Sequence, residues 1–445
     1  MHLISRRTFD NDQDCALYNR IAWRILPFLF VLYVVAFLDR VNVGFAKLQL
    51  ATDIGLSDMA FGFGAGVFFL GYCLFEIPSN LMLKRVGARL WITRIMVVWG
   101  LISTSMMFVN SPTSFYILRF LLGVAEAGFY PGVVLYLTFW LPSYAQSQGL
   151  ACLSLGVGIA GVLGGPLSGW IMQTFAGYGG MAGWQWLFLL EGLPAVLLGI
   201  VVYFYLDDRP GKVHWLTPAQ NARVVADLEQ QRLAHEQAGA THSVRGAFMH
   251  RGLWCLVFVN FALLCATYGV SFWMPQIIRS LGEQSLFQTG LISAIPFAVA
   301  SVCMLIVGKH SDRTRERRWH ASLSILAAAI GLALSAALHT SPYLCLFSLC
   351  IAMAGSLSAF NVLWAIPGTL LTGTAAAAGI ALMTTVGNLG GYASPFMMGW
   401  IKQATGHLEF GLYALATLTL VAALVMSSVR PRDRDQQTQA VAVPG

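Results

Sequence analysis

The chain has 445 residues, 57% of them hydrophobic and only 11% charged. A soluble domain carries about a quarter charged residues, so a chain this apolar cannot cover its surface in water and belongs in lipid. Its net charge of +7 then reads as membrane topology and not as a footprint for nucleic acid.

In chain order, residues 1–20 come first. They are polar and include Arg6, Arg7, Asp10, Asp12 and Asp14, which is not the pattern of a cleavable signal peptide. A spanning helix needs about 20 mostly apolar residues. Twelve segments qualify, near 21–43, 61–83, 90–109, 113–139, 148–172, 186–206, 252–276, 287–308, 320–339, 342–365, 377–401 and 408–429. Between the sixth and seventh lies the one long polar stretch, 207–251, opening "LDDRPGKVHWLTPAQ". Thr217 as N-cap with Pro218 at the first helical position predicts a short surface helix there. The expected organisation is an N-terminal segment (1–20), a six-helix bundle (21–206), a linker (207–251), a second six-helix bundle (252–429) and a tail (430–445).

Charge sets the orientation. Of the 27 Lys and Arg residues, Arg40, Lys47, Arg119, Arg279 and Lys402 fall in spans or in loops assigned to the outside, and the other 22 share one face if there are twelve spans. Lys and Arg concentrate on the cytoplasmic side, so both termini are expected inside. The halves also echo each other. "LKRVGARLW" (83–91) follows the second span, and "GKHSDRTRERRW" (308–319) follows the eighth, which is second in its own half. A basic loop at the same point of each half indicates an internal repeat, although any short cytoplasmic loop collects Lys and Arg.

Inside the spans the ionisable residues are few: Asp39, Arg40, Glu76, Arg119, Glu126 and, nearer an end, Glu191. Each costs about 3 kcal/mol at mid-bilayer on insertion scales, so such groups normally face a bundle interior or an aqueous cavity. Arg119 and Glu126 are seven residues apart in "RFLLGVAEAGFYPG", two helical turns, and project from nearly one face about 10 Å apart. They read either as a proton-handling pair or as a static bridge. Burial favours the neutral carboxyl and a neighbouring Arg favours the charged one; a buried pair gives little net stability, which tips the balance to proton handling. Asp39 and Arg40, in "VVAFLDRVNVGF", point about 100° apart on a helix and cannot pair face to face. An Arg facing a cavity suits a carboxylate ligand, whose two oxygens match its fork. The alternative is that the pair anchors the outer interface. Glu76 reads equally as a cavity group or an interhelical hydrogen bond, and Glu191 as a structural bond to a neighbouring span's backbone. "GVGIAGVLGGPLSG" (156–169) is a small-residue stripe for close helix packing, without the strand or Lys of a phosphate loop.

Four stretches together, "FLDRVNVGFA", "FEIPSNLMLKRVGAR", "RFLLGVAEAGFYPG" and "TTVGNLGGYASPFMMGW", resemble the major facilitator superfamily, and within it the anion–cation symporter family. The chain looks most like the bacterial branch that imports tartrate, phthalate, hydroxyphenylacetate and similar organic acids, and the resemblance runs over essentially the whole chain. It implies an all-α integral membrane protein with two six-helix bundles in pseudo-two-fold symmetry around a central cavity. It also implies a monomeric secondary active transporter of the inner membrane, taking up a small organic carboxylate with protons by alternating access. By resemblance, Asp39 and Glu126 match the titrating acids, Arg40 the arginine that holds the substrate carboxylate, and Arg119 the arginine that couples the acids. Tyr72 and Asn388 match cavity-lining positions, and Tyr268, Asn361 and Trp364 fall in cavity spans. The loop motif falls on Arg85, Gly87 and Arg89 in the first half and on Gly308, Asp312 and Arg313 in the second. Lys84 stands where the superfamily's first loop has an acid, whereas Asp312–Arg313 keeps it. "GIAGVLGGPLSGW" also resembles a fifth-span motif of antiporters, which leaves efflux of an organic anion or drug as the alternative.

Other classes lack their residues. No G-x-S-x-G or H-E-x-x-H occurs, no His pair has ligand spacing on a span, and the eight cysteines contain no C-x-x-C. Neither an enzyme, a metal site nor a cofactor is therefore expected. No ring of like charges or carbonyl filter suggests a channel. The topology is open to a direct check. Single cysteines placed at positions 215–245 should resist a membrane-impermeant thiol reagent in intact cells, and rapid labelling there would contradict the orientation.

Overall fold

The structure, a computed structural model, describes residues 3–4, 11–211, 213–237, 248–282, 284–367 and 373–429. Residues 238–247 of the predicted linker and the predicted tail, 430–445, lie outside the described residues. Among the described residues the regular elements are helices: α1 (Asp12–Asp53), α2 (Asp58–Val86), α3 (Ala88–Ser105), α4 (Pro112–Glu126), α5 (Phe129–Thr138), α6 (Ser143–Thr174), α7 (Gly183–Tyr205) and α8 (Pro218–Gln237). These are followed by α9 (Arg251–Ser280), α10 (Leu286–Thr314), α11 (Arg318–Ala337), α12 (Pro342–Leu363), α13 (Gly373–Thr405) and α14 (Glu409–Ser428).

Eleven helical stretches among the described residues are long and apolar enough to cross a membrane, with α4 and α5 together making one of them. They match eleven of the twelve predicted spans. The remaining predicted span, 377–401, is the 33-residue helix α13, whose Thr384, Thr385, Asn388 and glycines dilute its apolar character. Several helices run past the predicted limits. The longest, α1, has 42 residues and begins at Asn11, whose side chain accepts a hydrogen bond from the Asp14 N–H. Prolines are tolerated inside α1, α2, α6, α7, α9, α10 and α13, as in other membrane helices, where neighbours re-satisfy the freed backbone groups.

The fourth predicted span, 113–139, is not one helix. It breaks after Glu126, because Ala127 is extended (φ −53°, ψ 130°) and Gly128 takes the left-handed conformation at φ +83°, which glycine adopts at little cost. Pro131 then sits in the first turn of α5, where its missing N–H removes nothing. Glu126 is thereby the last residue of α4 instead of a mid-helix group. The predicted surface helix is α8. Thr217 Oγ1 accepts from the Gln220 N–H at 3.2 Å, and Gln220 Oε1 accepts from the Thr217 N–H at 3.1 Å, a reciprocal cap.

The chain forms two compact units, one of Met1–Gln237 with Ser271–Ala298 and one of Ala238–Val270 with Val299–Gly445. In the first, α1 packs on α6 and α7, α2 on α4, and α3 on α7. In the second, α11 packs on α12 and α14, over a core that includes Leu256, Leu263, Ile325, Val362 and Met426.

Candidate functional site

Among the described residues, the buried Asp, Glu, Lys and Arg side chains of both units are Asp39, Lys47, Glu76, Arg119, Glu126 and Glu191, and all six belong to the first unit. Their arrangement follows from where α1 turns its side chains. Arg40 and Asp39 leave the helix in different directions and enter two separate polar networks.

Arg40 reaches α4, where its Nη2 forms an ion pair with Glu126 Oε1. The guanidinium also lies over the rings of Phe68 and Tyr72, at 5.3 and 5.4 Å from their centroids. Glu126 is fully buried, while the Arg40 side chain keeps 13% of its exposure. Glu126 Oε2 has no hydrogen-bond partner among the described residues. Such a pair, one member dry and the other partly open, can exchange its acid for another carboxylate arriving from the open side.

Asp39 turns to α3. Its Oδ2 accepts from Trp99 Nε1–H at 2.5 Å, and its Oδ1 accepts from the Ser103 hydroxyl and from Asn42 Nδ2 at 3.3 Å. All these donors are neutral, so Asp39 is solvated by the protein without a contacting cation.

Arg119 corrects the sequence reading. Its seven-residue spacing from Glu126 left open a bridge between the two, but Glu126 is bridged to Arg40. Arg119 Nε and Nη2 donate instead to the carbonyls of Gly64 and Ala65 on α2, at 3.4 and 3.2 Å. Its guanidinium lies 5.1 Å from the Phe68 ring centroid, and it is fully buried.

The other expected site residues divide between the units. Tyr72, buried on α2, joins the Arg40 network. Tyr268 is buried on α9, Asn388 is half-buried on α13, and Trp364 stands edge-on to Phe360 at the end of α12; all three belong to the second unit. Asn361 packs against Gly308, where an added Cβ would lie 2.6 Å from its amide nitrogen, so it buttresses the loop motif on α10.

The loop motifs differ in build. Gly87 separates α2 from α3, and the acid missing from the sequence motif comes from elsewhere: Asp208 Oδ1 accepts from the Arg89 N–H at 2.8 Å, at the start of α3. The Arg89 guanidinium covers the Tyr203 ring, and Arg85 is exposed. In the second copy Asp312 pairs with Arg317 at 2.5 Å, leaving Arg313 exposed. Glu316 caps α11 by accepting from the Trp319 and His320 N–H groups at 2.7 and 3.1 Å. Partial burial pushes its carboxyl up, but these bonds and the His320 ring outweigh that and hold it below the ordinary glutamate value.

Sequence reasoning missed four participants. Trp99 and Ser103 carry no signal beyond polarity in an apolar helix, whereas Asn42, one turn after Asp39, could have been picked out. Lys47 is buried, with Nζ 2.6 Å from Asp58 and 2.5 Å from Gln276, and 3.4 Å from the Trp273 ring centroid.

Asp, Glu, Lys and Arg side chains buried among helices long and apolar enough to cross a membrane fit a multi-pass protein that moves a solute through its interior. The Major Facilitator Superfamily profile matches residues 29–395, and the chain belongs to that superfamily; it is a membrane transporter, not an enzyme. A protein of Agrobacterium vitis named "Putative tartrate transporter" is 46% identical over 418 residues, covering 93% of this chain and 91% of its own. The "Quinolone resistance transporter" of Acinetobacter baumannii is 39% identical over 430 residues, covering 97% and 98%. Among solved structures, the xylose transporter XylE from E. coli in an inward-open conformation matches with a TM-score of 0.74 at 15% identity, covering 94% of this chain and 99% of that one.

The ion pair is testable without substrate. Arg40→Ala should destabilise the detergent-purified protein by about 3 kcal/mol or more, because it strands a buried carboxylate. Adding Glu126→Gln should recover over half of that loss in thermal unfolding; strictly additive losses would mean that the two residues do not interact.

Proposed function

We propose that the protein is a secondary transporter that takes up a small organic carboxylate together with protons, by alternating access, across the inner membrane with both termini cytoplasmic. The observation that carries this reading is the buried ion pair of Arg40 with Glu126. A proton on Glu126 removes its charge and releases the guanidinium, whose planar fork fits the two oxygens of an incoming carboxylate. A buried guanidinium with no anion is costly, so Arg40 leaves Glu126 at low cost only when proton and substrate arrive together. Loaded and protonated, or empty and paired, the assembly carries no excess charge through the dry intermediate. Half-loaded forms do, and switching sides is disfavoured for them.

In this reading Glu126 and Asp39 handle the protons. Arg40 and Arg119 supply positive charge and Tyr72 supplies a wall, while Tyr268, Trp364 and Asn388 of the second unit line the substrate's path. Asn361, packed on Gly308, contributes through the loop motif. The relative named for tartrate supports a carboxylate cargo. A second reading, efflux in exchange for protons, is favoured by the relative named for quinolone resistance, since the same pair would serve an antiporter.

Glu126→Gln imitates the protonated acid permanently. Reconstituted in proteoliposomes, it should exchange substrate across the membrane in counterflow but fail to concentrate it under an imposed pH gradient. Full proton-driven accumulation by this variant would remove Glu126 from the coupling role.

A further inference from the structure

Glu191 is a buried carboxyl to which the scheme above gives no task. It lies on α7, 5% exposed, where that helix comes close to α3. At the next residue, Gly192, an added Cβ would lie 2.7 Å from Thr104 Oγ1 and 3.2 Å from Ser103 Oγ. Ser103 is the hydroxyl that donates to Asp39, so the close approach sets Glu191 beside the Asp39 network. Glu191 Oε1 accepts from Ser168 Oγ of α6 at 2.8 Å. The side-chain amide of Asn42, which donates to Asp39 Oδ1 at 3.3 Å, also lies near enough to act on the Glu191 carboxyl. Asn42 thus stands between the two acids.

The donors do not balance the acceptors. Glu191 Oε2 and Asn42 Oδ1 have no hydrogen-bond partner among the described residues, although both side chains are at least nine-tenths buried. Two acceptors cannot satisfy each other, and buried polar atoms are rarely left unpaired. One proton on Oε2 resolves both, turning Glu191 into a donor for Asn42 Oδ1. The charged group nearest in effect to Glu191 is Asp39, of like sign; Arg40 and Glu126 are paired with each other, and Arg119 donates to the α2 carbonyls.

We propose that Glu191 is a proton-holding carboxyl, a neutral donor that fixes the Asn42 amide and through it orients Asp39. It is a positioning residue for the acid that exchanges protons, and the inference rests on that reading of Asp39. The other occupant with the right chemistry is a sodium ion held by the same oxygens. The Asp39 oxygens, however, already accept Trp99, Ser103 and Asn42 donors, which a cation would have to displace.

Infrared spectroscopy of the full-length protein in lipid tests the protonation directly. The carbonyl stretch of an un-ionised carboxylic acid should be present in the wild type, absent in Glu191→Gln and displaced in Asn42→Leu, which takes away its acceptor. In proteoliposomes Glu191→Gln, which keeps a donor, should retain at least about tenfold more pH-driven tartrate uptake than Glu191→Ala, the equivalent of one buried hydrogen bond. Persistence of the acid band in Glu191→Gln, equal uptake by the two variants, or a sodium stimulation of wild-type uptake that Glu191→Gln abolishes would each overturn the proposal. The infrared readout needs no transport. A band that follows Glu191 in a protein showing no pH-driven uptake would uphold the neutral acid and sink the coupling scheme instead.

Discussion

A guanidinium and a carboxylate pressed together in an apolar interior constrain everything around them. Separating Arg40 from Glu126 without replacing either partner leaves an uncompensated charge, which in buried sites costs several kcal/mol. The surroundings are built to hold that pair while leaving one side of it reachable. The chain breaks after Glu126 through Gly128, so the carboxyl sits at a helix end. The rings of Phe68 and Tyr72 cover the Arg40 guanidinium, offering polarizable surface to a cation. Arg119 is kept apart from the pair by its bonds to the α2 carbonyls, which leaves its charge unneutralised by contact and able to add to the field felt by an anion.

Adjacency of Asp39 and Arg40 then has a physical meaning. One residue apart on α1, they are the closest possible sequence neighbours, yet they serve networks on different helices: Arg40 on α4, Asp39 on α3. A change in either network is felt through a shared turn of helix. The second unit differs in kind, since its buried polar groups are neutral, such as Asn260, which donates to the Met383 carbonyl at 2.8 Å. Among the described residues buried charge is confined to one unit, and the interior of the other offers neutral hydrogen-bonding groups and aromatic rings.

How much of this the sequence disclosed depends on the range of each interaction. The spans were legible because hydrophobicity is local, and the buried acids and arginines stood out because each is expensive in lipid. Partner choice was not legible. Helical spacing reports neighbours on one helix, so it joined Arg119 to Glu126, while the pairing that forms, Arg40 with Glu126, crosses 86 residues of chain. The same reason hid Asp208, which supplies the acid absent from the first loop motif across 119 residues, and Trp99 and Ser103 beneath Asp39. The break in the fourth span was written in "EAGFYPG", but a long apolar run outweighed two residues that interrupt it.

Substrate and proton enter on one assembly in the proposed cycle, and substrate-evoked proton movement measures this most directly. Proteoliposomes containing the wild-type protein and a luminal pH indicator would receive a small dicarboxylate such as tartrate, with no gradient imposed beforehand. The lumen should acidify as labelled substrate enters, in a fixed ratio of protons to substrate. Substrate entry with no change in luminal pH, or with alkalinisation, would contradict it.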